Sequence, residues 1–194
     1  MSKSDPASAK KERNKTIRWV VTIFIVTILI SGFFSFASSE IMENSSVVVA
    51  FIILFAIILI GIIFDVIGVA VTSADEKPFH SMSARKVPGG HEAIALLRNA
   101  ERVSSICNDV IGDICGVVSG SASASIAAQI VMNFSGDTEE IIMLLMSAMV
   151  AGLTVGGKAI GKTFAIGSCT KIVASVGKLI WFFHNLPSIF KKKK

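Results

Sequence analysis

Four runs of apolar residues constrain this chain more than any other feature, because each is close to or above the roughly 20 residues that carry a helix across a bilayer. They occupy residues 19–37, 47–71, 103–134 and 141–166. In hydrocarbon every backbone N–H and C=O must find its partner within the protein, so each run is expected as a helix and the chain as an all-α integral membrane protein with four transmembrane helices. Composition agrees: 52% of the 194 residues are hydrophobic and 17% are charged, against about 25% charged in soluble domains. No separate large soluble enzyme domain is expected in these residues. No nucleophile and base stand together, so no enzymatic activity is expected. Cys107, Cys115 and Cys169 form no CxxC pair, which leaves them as reduced, small apolar residues rather than a disulfide framework or a thiolate zinc site.

The charges fix a topology. Of the 19 Lys and Arg residues, six precede the first run, five lie between the second and third, and eight follow from Lys158 onward. The two remaining loops hold no Lys or Arg but carry Glu40 and Glu43 in one and Asp137, Glu139 and Glu140 in the other. The positive-inside rule then puts both termini and the central segment in the cytoplasm of a bacterial-type inner (plasma) membrane, with the two acidic loops outside. The net charge of +5 is thereby a topology signal and a contact to anionic headgroups, about 1 kcal/mol per cation near the surface. No nucleic-acid partner is expected.

Residues 1–15 read as a basic cytoplasmic arm and not as a cleaved signal peptide. The segment 72–102 is polar and ends in a stretch, 92–102, whose Ala93, Leu96, Leu97 and Ala100 recur at helical spacing. A belt-like helix along the membrane surface is expected there. The tail, 167–194, mixes Ile172, Val173, Val176, Leu179, Ile180, Trp181 and Phe182 with lysines. That pattern predicts a second interfacial amphipathic helix with Trp181 at headgroup depth.

Three acids stand at membrane depth: Asp65, Asp109 and Asp113. A carboxylate there costs about 2.5 to 3.5 kcal/mol on insertion scales, so it is expected to face the bundle interior and to have a partner. Asp109 and Asp113 are four apart and on an α-helix share a face, where two carboxylates repel unless protonated or bridged by a cation. Hard oxygen donors suit magnesium or calcium, and Asn108, Ser104, Ser105 and Ser119 offer neutral oxygens beside them. The competing reading pairs Asp65 and Asp113 with solvent or with Arg102, Lys158 or Lys162 at the interface. Gly112, Gly116 and Gly120 form a small-residue ridge suited to close helix packing.

Other motifs carry less. Gly156 to Thr163 satisfies GxxxxGK[ST], but a transmembrane helix replaces the strand that a phosphate loop needs, so no nucleotide is expected. Asn44 and Asn133 open glycosylation sequons that mean only polar loops. His80, His91 and His184 lack ligand spacing and read as surface histidines.

From Phe64 onward the order of features resembles the transmembrane domain of the CorC and cyclin-M family of magnesium exporters, of the CorB-like kind. Phe64-Asp65-Val66-Ile67-Gly68-Val69-Ala70-Val71 stands where that family has an FxxxExAL-like pattern, and 92–102 stands where it has its belt helix. Asn108-Asp109-Val110-Ile111-Gly112-Asp113 takes the place of its NxxxN motif, and Gly157-Lys158-Ala159-Ile160-Gly161-Lys162 matches GExxPK in spacing. The resemblance implies a Mg2+ site built from Asp65 at a family serine, Asn108 or Asp109 and Gly112 or Asp113 at the asparagines, and the carbonyl of Gly157. It also implies a homodimer. The chain departs from the family at Lys158 for the glutamate, Gly161 for the proline and Gly68 for an acidic residue. The family's nucleotide-sensing CBS pair is expected to be missing, since the tail after Ile166 is too short to fold as such a unit.

These readings converge on a membrane protein that binds and exports or exchanges Mg2+ or another divalent cation, with Asp65, Asn108, Asp109, Asp113 and Gly157 at the metal. The rival is a non-transporting scaffold or regulator of the same fold, its acids neutralised by Lys158.

Overall fold

The computed structural model describes residues 6–43, 45–132 and 139–191. Asn44, Asn133, most of the second acidic loop and the last three lysines lie outside the described residues. The chain is all-α, and four of its helices are long and apolar enough to cross a membrane. It is a membrane protein of the multi-span helical class.

Helix α1 spans Pro6–Glu43 and α2 spans Val47–Ser73. The basic arm is thus helical from Pro6, in line with proline's preference for the first helical position and the good helix formers Ala7, Ala9, Lys10, Lys11 and Glu12 that follow. Helix α2 starts after Ser46, which is extended at φ −66° and ψ 151°, and stops at the equally extended Ala74. Helix α3, Lys77–Ala84, opens with Pro78 in its first turn, and α4 covers Gly90–Arg98. The link between them ends at Gly89, with φ of 88°. A side chain there would be strained by the backbone and would also strike α8, since a Cβ would lie 2.4 Å from the Lys178 nitrogen.

The expected belt helix over 92–102 divides. Helix α4 stops at Asn99, whose φ of −114° and ψ of 27° leave the helical region and whose Nδ2 donates to the Ala95 carbonyl at 2.9 Å. Ala100, Glu101 and Arg102 instead open the third span, which runs Ala100–Val131. That span contains α5, Ala100–Ser105, then a π-helical segment, Ile106–Gly112, then α6, Asp113–Val131. Helix α7 covers Glu139–Gly167, and after a turn at Ser168 helix α8 covers Cys169–Lys191.

Helix α2 is the centre of the bundle, with the third span and α7 against it, while α1 packs mainly on α6. Lipid tails are as apolar as leucine, so these helices are held by close packing rather than by exclusion of water. Three clusters record it. Ala50, Leu54 and Ile58 of α2 meet Ala122 and Ile126 of α6 at one end. Val110, Ile114 and Val118 take Ile23 of α1 and Ile57 of α2 at mid-bundle. At the other end, where the basic residues gather, Ala70, Val71, Phe79, Ala93, Ile94, Leu97, Ala165 and Val173 tie α2, α3, α4, α7 and α8 together. The outward faces stay apolar, as lipid contact requires: Phe24, Leu29, Phe33 and Phe36 are all exposed on α1.

Candidate functional site

Gly61, Asp65 and Gly68 recur at helical spacing and so form one stripe along α2. Both glycines touch the third span. A Cβ on Gly61 would stand 2.9 Å from the Cys115 Cβ, and one on Gly68 would stand 2.2 Å from Asn108 Oδ1. Asp65 lies between them and is therefore directed at the same interface, formed by the π segment and the first turn of α6. It is 4% exposed, and its Oδ2 has no hydrogen-bond donor.

Asn108 reaches the same stripe of α2 from the third span, at Gly68. Its Nδ2 donates to Ser104 Oγ at 3.2 Å, which turns Oδ1 away from that serine. Asn108 Oδ1 is buried and, like Asp65 Oδ2, has no donor. Two orphan acceptor oxygens in one dry interface are costly, on the order of 1 to 3 kcal/mol for a neutral group and more for a charged one. A donor or a cation is the natural complement to that pair.

The remaining expected ligands are placed differently. Asp109 is exposed and accepts a hydrogen bond from Ser105 Oγ at 2.8 Å. Asp113 is exposed as well. The four-residue spacing that aligns two side chains on an α-helix does not hold through a π segment, where bonds run i to i+5. Gly157 seats α7 on α2, because a Cβ there would collide with Ile62 Cδ1 at 2.3 Å, and Gly161 does the same beside Val66. The structure thus brings Asp65 and Asn108 into one interface and leaves Asp109 and Asp113 on outward faces. Among the described residues no three His, Cys, Asp or Glu side chains cluster as a metal site. An ion held here would depend on one carboxylate and neutral oxygens.

Lys158 does not form the expected ion pair. The only acid–base contact within 4.0 Å among the described residues is His80 with Glu76, at 3.2 Å. The half-buried Lys158 instead carries its ammonium to the π segment, where Nζ lies 3.4 Å from the position of a Cβ on Gly112. The glycine ridge is also split. Gly112 faces Lys158, while a Cβ on Gly116 or Gly120 would meet nothing within 4 Å. Ala122 and Ser119, buried on α6, take the packing instead.

The packing role of Gly61 and Gly68 was not read from the sequence, where Gly68 figured only as a departure from the family pattern. Two glycines at i and i+7 flanking an acid in an otherwise Ile- and Val-rich helix signal close approach at an acidic position, and that signal was present. The fold and this interface define a four-span, all-α membrane protein with a buried polar pair in its core. No protein-family model, no curated protein and no solved structure matches the chain.

Proposed function

We propose that the protein binds a divalent cation, Mg2+ by the hardness of its donors, through Asp65 and Asn108, and passes it across the membrane. The observation that carries this reading is the pair of buried acceptor oxygens, Asp65 Oδ2 and Asn108 Oδ1, left without donors between α2 and the third span. Both are hard donors of the kind Mg2+ takes, and Ser104 Oγ holds the amide nitrogen of Asn108. A site with one carboxylate and neutral oxygens holds its ion less tightly than the three-acid site expected from sequence, which suits release. The order of motifs shared with the CorC and cyclin-M exporters supports the same reading. Lys158, whose ammonium lies near Gly112, stands against it: a positive charge there opposes a divalent ion and weakens its hold.

By the distribution of Lys and Arg, both termini and residues 72–102 lie on the cytoplasmic side, as in a protein of a bacterial-type inner membrane. Gly116 and Gly120 line a groove of small residues between α6 and α7, and the family resemblance supports a homodimer, since small residues let helices approach closely.

The test is magnesium calorimetry on detergent-purified protein, with calcium and manganese as competitors. Saturable binding is expected in the wild type, with a loss of about ten-fold or more in Asp65→Asn and Asn108→Ala, and flux into liposomes should fall in parallel. Full binding in a folded Asp65→Asn variant would overturn the ion site and leave the scaffold reading in its place.

A further inference from the structure

A second polar site lies at the basic end of the bundle, where the first and third spans begin side by side. There Lys15, Thr16 and Trp19 of α1 and Glu101, Arg102 and Ser105 of α5 line a cleft of about 380 Å³. The Arg102 guanidinium carbon sits 5.7 Å from the centre of the Trp19 ring, a cation–π contact that fixes the side chain against α1. Neither Lys15 nor Arg102 has a carboxylate within 4.0 Å among the residues whose side chains are described. The lining carries two cations and one carboxylate, so its net charge is one positive, the complement of a single phosphodiester.

The depth of the cleft selects the source of that phosphate. Trp19 opens the first apolar run, and tryptophan settles at the headgroup level of a bilayer. Within about one and a half turns beyond the cleft, Val20, Val21 and Phe24 on α1 and Ile106 on the third span are exposed and apolar. A phosphate at this position therefore has surface for acyl chains immediately beneath it.

We infer that the cleft between α1 and α5 binds the phosphate of an anionic phospholipid, with Arg102 and Lys15 as the anion-contacting residues. The lipid bridges the first and third spans at their basic ends and braces α1, one of the two spans whose most apolar window holds no buried residue. The site is separate from the Asp65 and Asn108 interface and does not depend on it.

The experiment is thermal unfolding of the full chain in a neutral detergent, titrated in parallel with phosphatidylglycerol, phosphatidylcholine and inorganic phosphate. Phosphatidylglycerol is expected to raise the midpoint while the other two, at equal concentration, do not. Arg102→Gln and Lys15→Gln should each weaken the apparent affinity for phosphatidylglycerol about five-fold, the effect of one surface cation, and Lys77→Gln should leave it unchanged. Equal responses in all three variants and the wild type would overturn the site. Equal protection by phosphatidylcholine would overturn its charge recognition, and equal protection by inorganic phosphate would overturn the lipid as its source. Lys15 lies on the exposed side of α1, so Lys15→Gln still reports if Arg102→Gln fails to fold.

Discussion

Asp65 and Asp109 are both aspartates in apolar spans of one bundle, yet they have opposite surroundings. Asp65 is nearly fully buried with an orphan oxygen; Asp109 is exposed and holds the Ser105 hydroxyl. The difference comes from what flanks each acid. On α2 two glycines remove the side chains that would keep the third span away, so Asp65 is enclosed. On the third span the π segment brings Asn108 against Gly68 and leaves Asp109 facing outward. A carboxylate's role in a membrane follows from the helix that covers it, more than from its own depth.

The comparison breaks most severely at Gly68. Gly68→Val should disrupt the Asn108 contact and cost about 1 to 3 kcal/mol of stability, the usual effect of overpacking, read as a fall in the thermal midpoint. Gly120→Ala, at an open position, should fall within about 0.5 kcal/mol of wild type, as surface changes do. Similar losses in both would mean that the α2 stripe is no special contact.

Lys158→Met sharpens it next. Removing a cation near the π segment should strengthen magnesium binding several-fold, since like charges repel and the repulsion grows as the effective dielectric falls. Calorimetry decides; weaker binding in this variant would assign Lys158 a supporting role at the site instead of a repulsive one.

The smallest effect belongs to the exposed pair. Ser105→Ala removes the hydroxyl that Asp109 accepts and should change stability by less than about 0.5 kcal/mol, with magnesium affinity unchanged. A marked loss of binding there would return Asp109 to the ion site.

Much of the architecture was legible in the residues. The second apolar run ended within a few residues of α2, because Ser46 and the polar stretch after Thr72 mark where lipid-compatible sequence stops. A helix between the second and third spans was legible in the sequence, but its extent was not. Its apolar period continued past Asn99, while the chain bends there and hands Glu101 and Arg102 to the third span. Asp65 was legible as a buried acid. Asp109 and Asp113 were read as its partners on the premise of an α-helical face, and nothing in their spacing announced a π segment between Ile106 and Gly112.

By itself the sequence determined that the chain is helical, that it has four segments able to span a bilayer, and where its cations lie, because lipid imposes hydrogen-bond closure and length on every apolar run. Only the tertiary structure decided which polar groups meet. Rotation of one helix against another depends on where backbones can approach, and Gly61 and Gly68 set that approach so that Asp65 and Asn108 share an interface from which Asp109 and Asp113 are turned away.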